Sequence, residues 1–278
     1  MNMKKGKVSI VIPCYNNQAT VQEAVMSCLT QSCQPLEVIV VNDGSTDDSL
    51  KVVQDMALKF PVLQVIDQPN QGPARARNCG ASQAKGEYLV FLDADDKLAE
   101  TYLAECLAVF HKGENVDIVY TMTEKFEAEE GIWELVPYSP ENILVGNCFP
   151  ISAMISLAKF IEIGMFDEEL GHAEDWEMWI RMTARYPNAQ KIDKPLFFYR
   201  KRATKDSITD LNLAHNYANK THLYIYNKHY GLYCQYGRSI NDLLRAKDEV
   251  AVYKRFQKKY QNIWYRKLFY RFIKRPKQ

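Results

Sequence analysis

The sequence predicts an α/β protein with a mostly parallel central sheet that is flanked by helices. Short runs of β-branched and aromatic residues alternate with stretches whose apolar residues recur at helical spacing. Polar clusters follow several of these runs directly, as is typical of the ligand-binding edge of a parallel sheet. The chain of 278 residues is long enough to bury a sizeable core, and its 47% of hydrophobic and 25% of charged residues are ordinary for a globular protein.

The first half of the chain is predicted to contain five strands with helices between them. Near-continuous apolar runs predict strands at Val8–Pro13, Leu36–Val41, Val62–Ile66, Tyr88–Leu92 and Ile118–Thr123. The intervening helices are predicted after a capping box at Thr20–Glu23, after Asp47–Asp48, at Gly72–Ala84 and near Glu100–His111. This alternation of strand and helix is typical of a parallel sheet.

The second half of the chain gives weaker signals of secondary structure. Helices are predicted at Ala158–Ile163 and Glu174–Tyr186, and a strand is predicted at Leu196–Tyr199. We expect the first domain to span residues 1–209, followed by a helical extension, rich in basic and aromatic residues, at residues 210–278.

Cysteine usage and hydropathy limit the class of protein. The seven cysteines are scattered and form no Cys-x-x-Cys pair, so neither a disulfide framework nor a zinc site is predicted. Reduced thiols favour the cytosol. The apolar run behind the basic segment Met1–Lys7 ends at Pro13 and is too short for a signal peptide or a membrane span. We therefore expect a cytoplasmic protein.

Positive charge is concentrated at the C-terminal end of the chain. The chain has 35 Lys and Arg and 34 Asp and Glu, and ten of the cations lie in Ala251–Gln278, which contains no acid. Aromatic and apolar residues recur there at helical spacing from Tyr253 to Phe272. The pattern predicts a helix that either lies on an anionic lipid surface, at the inner face of the cell membrane, or packs on the first domain. Nucleic acid is not an expected partner, because no recognition fold accompanies the charge.

Three carboxylates, Asp93, Asp95 and Asp96, follow the predicted strand Tyr88–Leu92 directly. Carboxylates gathered at a sheet edge repel one another unless a cation joins them. Mg²⁺ and Mn²⁺ are commonly held by one or two carboxylates together with substrate phosphates. The cluster therefore predicts a site for a divalent cation, and the alternative is a solvated acidic turn.

Polar segments also follow two other predicted strands, at Cys14–Asn16 and Asn42–Ser45. Between them and the acidic cluster lies Asn70–Gly80, where Gly72 lets the backbone approach a ligand and Arg77 can pair with phosphate. All these loops are expected at one edge of a parallel sheet. An acidic pocket beside an arginine suits a metal-bound diphosphate, although each loop alone can be an ordinary turn.

Four motifs in register resemble the hallmarks of the family 2 glycosyltransferases, which have the GT-A fold. They are Val8–Asn16, Val41–Asp47, the Gly72–Gly80 segment with Ala76-Arg77-Asn78, and Leu92–Asp96 with its Asp-x-Asp motif. The similarity continues through Gly164–Glu168 and Glu174–Trp176, so it covers about Lys7 to Arg202. It implies a GT-A catalytic domain with a Rossmann-like nucleotide-binding half, followed by the helical C-terminal extension.

The resemblance implies a role for each matching residue. In the donor site, Asp43 would contact the uracil ring, Pro13 and Tyr15 would shape the base pocket, Arg77 would support the nucleotide and Asp93 would lie against the ribose. Asp95, together with Asp93, would hold the Mn²⁺ or Mg²⁺ that bridges the diphosphate. Asp175 would be the general base that takes a proton from the acceptor hydroxyl, although an Asp near a helix start can also serve only as a cap.

Further donor or acceptor contacts are expected from Glu174, Trp176, Arg200 and Arg202. Trp176 is alternatively part of a helix core. Family members often show an aromatic-Arg-x-His pattern, whereas Tyr199-Arg200-Lys201-Arg202 has Arg in the His place, so the role of that His does not carry over. The loop Arg200–Ser207, with four cations, either closes over the diphosphate or is an exposed basic loop.

The predicted function is transfer of a sugar from a nucleoside-diphosphate donor, a UDP-sugar by resemblance, to an acceptor hydroxyl with inversion. The resemblance implies a role in bacterial surface polysaccharide or glycolipid assembly, with a saccharide or lipid-linked saccharide acceptor that Tyr138–Leu170 would select. Metal stabilises the leaving diphosphate, so one catalytic base suffices. A glycoside hydrolase would need two separated carboxylates, which the adjacent Glu174 and Asp175 cannot supply.

Two other classes of protein remain as alternatives. One is a catalytically silent protein that keeps the fold and binds a nucleotide sugar or serves as a scaffold, which the joint presence of Asp93, Asp95 and Asp175 disfavours. The other is a nucleotidyltransferase. It is disfavoured because no glycine-rich, lysine-bearing phosphate loop is evident near the N-terminus.

Overall fold

The computed structural model describes residues 8–112, 115–203 and 217–256. The strands in these residues are β1 Val8–Cys14, β2 Glu37–Asp43, β3 Leu63–Gln68, β4 Tyr88–Phe91, β5 Lys97–Leu98, β6 Ile118–Glu127, β7 Gly131–Trp133, β8 Met154–Ser156 and β9 Ala189–Lys201. The helices are α1 Val21–Leu29, α2 Ser49–Ala57, α3 Pro73–Gln83, α4 Tyr102–Lys112, α5 Leu157–Glu162, α6 Glu174–Arg185, α7 Tyr217–Lys228, α8 Tyr230–Gln235 and α9 Ile240–Phe256. Each strand and helix predicted within the first 209 residues is present.

The first half of the sheet is parallel, as predicted. Its strand order is β3-β2-β1-β4, and each neighbouring pair in this block is parallel. All of β2 and nearly all of β1 are buried, as expected for strands that are covered on both faces. The loops that follow β1, β2 and β4 therefore leave the sheet at one edge, where the predicted site residues lie.

Beyond β4 the sheet is mixed rather than parallel. Strand β8 is antiparallel to both β4 and β6, β9 is parallel to β6, and the short β5 and β7 are antiparallel to β9 and β6. Strand β9 is 13 residues long and begins well before the predicted Leu196–Tyr199, because its first half is largely exposed and lacks an apolar run. Its last residues run beside β5 and so approach the acidic cluster.

The predicted capping box at the start of α1 is not formed. Thr20 is the N-cap residue, but its side chain makes no capping hydrogen bond. The Glu23 carboxylate instead accepts hydrogen bonds from Lys97 and Arg200, which lower its pKa. The prediction was wrong because two cations that are distant in sequence attract this carboxylate more strongly than a backbone N–H does.

Helix α3 lies unusually close to the sheet. A Cβ atom on Gly80 would lie 2.4 Å from Cγ1 of Val11 on β1 and 3.1 Å from Cγ2 of Val41 on β2. The glycine therefore lets the helix backbone pack directly on these strands. The start of α3 lies at the edge of the sheet at which the polar loops emerge, since the Gly72 N–H donates to Asp43 at the end of β2.

All seven cysteines are free thiols in the structure. Contacts between residues divide the chain into two units, Met1–Leu223 and Tyr224–Gln278. In the second unit, Tyr226 packs against the rings of Tyr230 and Tyr233. The domain boundary predicted at residues 209 and 210 lies outside the described residues and stays a prediction.

Most of the basic C-terminal tail also lies outside the described residues, which end at residue 256. The lipid-surface and packing alternatives for this tail therefore both remain predictions. Within the described part of the chain, we find no helix with the length and apolar character needed to cross a membrane.

Candidate active site

The loops after β1 and β2 are joined to each other by hydrogen bonds. The Asn16 N–H donates to Ser45 Oγ at 3.0 Å, and the Thr46 N–H donates back to Asn16 Oδ1 at 2.8 Å. Asn16 has a φ of 52°, which turns the chain sharply at this point. Pro13 pairs with Val41 on β2, and the neighbouring Tyr15 is 48% exposed. Tyr15 therefore presents an open aromatic surface at the edge of the sheet.

Asp43, at the end of β2, anchors the loop that precedes α3. Its Oδ1 accepts hydrogen bonds from Gln68 Nε2 at 2.7 Å and the Gln71 N–H at 2.9 Å, and its Oδ2 accepts one from the Gly72 N–H at 2.8 Å. The backbone at Gly44 also packs closely against this loop, since a Cβ atom on Gly44 would lie 2.6 Å from the backbone nitrogen of Asn70. Asp43 is buried, and its hydrogen bonds to the Gln71 and Gly72 N–H groups position this loop.

Arg77 on α3 connects the acidic cluster with helix α6. Its Nη2 lies 2.6 Å from Asp93 Oδ1, and its Nη1 lies 2.5 Å from Glu174 Oε1. Burial by itself would lower the pKa of the guanidinium, but the charges of Asp93 and Glu174 raise it overall. The side chain of Arg77 is only 7% exposed, so it holds the Asp93 and Glu174 carboxylates from the protein interior.

Asp175 lies in the first turn of α6 and remains partly accessible to solvent. Asn147 Nδ2 donates to Asp175 Oδ2 at 2.8 Å, and the Phe149 N–H donates to Asn147 Oδ1 at 3.2 Å, which fixes the orientation of the amide. Burial and the neighbouring charge of Glu174 raise the pKa of Asp175 to about 7. A carboxylate with this pKa can accept a proton near neutral pH.

Asp95 and Asp96 are held by two arginines at the end of β9. Arg202 Nη2 lies 2.6 Å from Asp95 Oδ2, while the Arg200 N–H donates to Asp96 Oδ1 at 2.8 Å. Arg200 Nε also donates to the backbone carbonyl of Asp95 at 2.7 Å. Burial and the nearby charge of Asp93 raise the pKa of Asp95, and burial raises that of Asp96 strongly. The loop is thus fixed by charge and by backbone hydrogen bonds.

The carboxylates of this loop differ in their suitability as metal ligands. Asp93 and Asp95 are 32% and 23% exposed, whereas Asp96 is buried, and its Oδ2 has no hydrogen-bond partner among the described residues. Two accessible carboxylates fit the predicted divalent cation. Among the residues that the structure describes, no group of three or more potential ligands could hold a metal. The remaining ligands would therefore have to come from the diphosphate and water.

The structure thus brings most of the predicted residues to one edge, while some of them have roles that the sequence did not indicate. Trp176 is 5% exposed and donates from Nε1 to the Ile143 carbonyl at 2.6 Å, which favours the alternative of a core residue. Glu174 is buried against Arg77. Of the predicted basic loop, residues 204–207 lie outside the described residues. The contact of Asn147 with Asp175 was missed, because no motif or periodicity marks an isolated Asn.

Comparisons with known proteins give a consistent result. The model of "Glycosyl transferase family 2" matches residues 9–164. An uncharacterized glycosyltransferase of Haemophilus influenzae is 29% identical over 211 residues, which is 73% of this chain and 71% of that protein. The chondroitin synthase of Pasteurella multocida is 30% identical over 191 residues, which is 66% of this chain but only 20% of the synthase.

Solved structures are also similar over most of the chain, and TarS is among them. S. aureus TarS 1-349 in complex with UDP-GlcNAc has a TM-score of 0.60 at 25% identity, covering 70% of this chain and 59% of that chain. The segment that matches the family model contains the loops after β1, β2 and β4 together with α3. It ends before α6, so Asp175 lies beyond it.

Proposed function

The chain belongs to glycosyl transferase family 2, with the GT-A fold, and we propose that it transfers a sugar from a UDP-sugar donor to an acceptor hydroxyl with inversion. The observation that carries the proposal is the bridge that Arg77 forms between Asp93 and Glu174. This bridge joins the acidic loop to the helix turn that contains Asp175. One buried cation would thereby hold the donor site and a partly exposed base together.

The donor would bind across the loops after β1, β2 and β4. The exposed ring of Tyr15, next to Pro13, can stack on the base. Asp43 Oδ2 accepts one described hydrogen bond, so it retains a lone pair that can accept a hydrogen bond from the N–H group of the uracil ring. TarS, which is similar in fold, binds UDP-GlcNAc, and this supports UDP as the nucleotide.

A divalent cation, Mn²⁺ or Mg²⁺, would be held by Asp95 and Asp93 together with the diphosphate. When bound, such an ion stabilises the negative charge that develops on the leaving diphosphate. The protein's own contribution is to hold the Asp93 carboxylate through Arg77 and to fix the backbone of Asp95 through Arg200. This part of the proposal is supported by the two accessible carboxylates and by the chemistry of the leaving group.

Asp175 would take the proton from the acceptor hydroxyl, because the residue is partly exposed and because burial and the charge of Glu174 raise the pKa of its carboxyl to about 7. A single base on one side of the sugar, with the leaving group on the other, corresponds to direct displacement and hence to inversion. The acceptor would be a saccharide or a lipid-linked saccharide in bacterial surface polysaccharide or glycolipid assembly. The similarity to a chondroitin synthase, of which this chain covers 20%, supports polysaccharide synthesis. The site of action would be the cytoplasm or the inner face of the cell membrane.

A panel of nucleotide sugars tests this function without a known acceptor. We expect metal-dependent hydrolysis of one UDP-sugar, measured as release of UDP, and binding of UDP by calorimetry. A catalytically silent protein would bind UDP and hydrolyse no donor. Absence of binding to every nucleotide and nucleotide sugar in the panel would contradict the proposal.

Asn147 is expected to position Asp175 and to lower its pKa, since it donates a hydrogen bond to the carboxylate. Replacing Asn147 by Ala should therefore raise the pH at which the rate of donor turnover reaches half its maximum, by about one pH unit. The loss of rate should be largest below pH 7 and should nearly disappear at high pH. A pH–rate profile measures this shift.

The matched control is Asn142→Ala in the same segment, because Asn142 donates to the Pro137 carbonyl and not to Asp175. We expect this variant to keep the wild-type pH profile. If Asn147→Ala lowered the rate equally at every pH, the residue would have only a structural role.

A further inference from the structure

Arg202 forms an ion pair with Asp95, one of the two carboxylates that would bind the metal. Its Nη2 lies 2.6 Å from Asp95 Oδ2 and donates to Asn17 Oδ1 at 2.8 Å. Arg202 follows the last residue of β9, and Arg200 in that strand donates hydrogen bonds to Asp96 and to the backbone carbonyl of Asp95. The cationic end of Arg202 is therefore placed on Asp95 by the fold and not by a chance surface contact.

The two arginines that face the carboxylates differ in their freedom to move. Arg77 is buried and is held between Asp93 and Glu174. The side chain of Arg202 is 29% exposed and borders a cavity of about 690 Å³. The same cavity is lined by Asp47 and Glu127, whose carboxylates can accept hydrogen bonds. Arg202 therefore has both the space and alternative partners to leave Asp95.

We propose that Arg202 is a built-in competitor of the divalent cation. In the absence of donor it neutralises Asp95 and keeps the metal affinity low. When the nucleotide diphosphate arrives, its anionic oxygens attract Arg202 and supply the remaining metal ligands, so metal and donor bind together. This inference rests on the proposed function, because the metal site at Asp95 and Asp93 belongs to it.

Elementary electrostatics supports competition. A guanidinium and a divalent cation that share one carboxylate repel each other, and at a few ångströms this repulsion is worth several kcal/mol at an effective dielectric constant of about 20. Arg202 in its observed position thus opposes metal binding to Asp95. In the absence of donor, the charge of Arg202 also offsets the repulsion between the Asp95 and Asp93 carboxylates.

The test is the affinity of the free protein for Mn²⁺ alone, measured by titration calorimetry in the absence of nucleotide. Arg202→Gln should bind Mn²⁺ at least about tenfold more tightly than wild type, because the competing charge is gone. Arg202→Lys keeps the charge and should stay within a few-fold of wild type. Arg75→Gln, which removes a cation from α3 that pairs with Glu168, is the matched control and should not change the affinity. Circular dichroism and melting curves show that each variant is folded.

A second titration, with UDP present, separates the inference from the proposed function. There we expect wild type to bind Mn²⁺ tightly and Asp95→Asn to lose that binding, whereas Arg202→Gln should bind UDP more weakly. An Arg202→Gln protein with unchanged or weaker affinity for Mn²⁺ alone would overturn the competition. If wild type bound UDP but no Mn²⁺, the metal role and with it the inference would fail, and if it bound no nucleotide at all, the proposed function would fail.

Discussion

Asp175→Asn should reduce the rate of sugar transfer by about 10²- to 10⁴-fold while leaving the affinity for UDP close to that of wild type. The amide has nearly the same shape but cannot accept the proton of the acceptor hydroxyl. The substitution leaves the hydrogen bonds of Asp43 and the pairing of Arg77 with Asp93 in place, so donor binding should be spared. Single-turnover rates and UDP titrations on the same protein measure both quantities.

The pH dependence of the wild-type enzyme provides an independent check on this assignment. The carboxylate accepts a proton only when it is ionised, and burial and Glu174 raise its pKa to about 7. The transfer rate should therefore rise about tenfold per pH unit below pH 7 and become constant above it. The inflection should be absent from the residual activity of Asp175→Asn. Turnover of this variant within a few-fold of wild type would place the base elsewhere, and Glu174 would be the next residue to test.

The parallel half of the fold could be predicted because its strands are buried on both faces. Near-continuous apolar runs, such as β1 and β2, are visible without any knowledge of their neighbours. Strands β5, β7 and β8 are only two or three residues long, so no periodicity can reveal them. They exist because longer strands pair with them, and that pairing is a tertiary effect.

The candidate site shows the same division between local and long-range information. The motifs predicted which residues meet at the sheet edge, since loops after parallel strands emerge together. They did not predict how the charges pair, because Arg77 contacts Glu174 across 97 residues and Arg202 contacts Asp95 across 107. A motif identifies the type of each side chain. Only the folded chain decides which cation faces which carboxylate.

Both proposed functional carboxylates in the loop after β4 are therefore balanced by arginines with different properties. Arg77 is buried and forms ion pairs with both Asp93 and Glu174. Arg202 is partly exposed and forms an ion pair with Asp95. The buried partner gives the site its rigidity. The accessible partner can exchange with a ligand, and this difference leads to contrasting expectations for the two arginines.

Arg77→Met should destabilise the protein by about 3–5 kcal/mol, because it leaves buried charge without a partner. Arg77 is 7% exposed and lies between Asp93 and Glu174, and the Glu174 side chain is itself only 9% exposed. Methionine fills part of the space but cannot compensate either carboxylate. Urea unfolding, followed by circular dichroism, measures the change in the free energy of unfolding.

Arg75→Met is the matched control, since it makes the same substitution two residues earlier on α3. The side chains of Arg75 and its partner Glu168 are both 44% exposed, and an exposed ion pair contributes at most about 1 kcal/mol. The double variant Arg77→Met with Glu174→Gln should recover part of the lost stability, because the amide removes the uncompensated buried charge. An Arg77→Met protein as stable as Arg75→Met would show that the bridge does not hold the acidic loop and α6 together, and the structural basis of the proposed function would be lost with it.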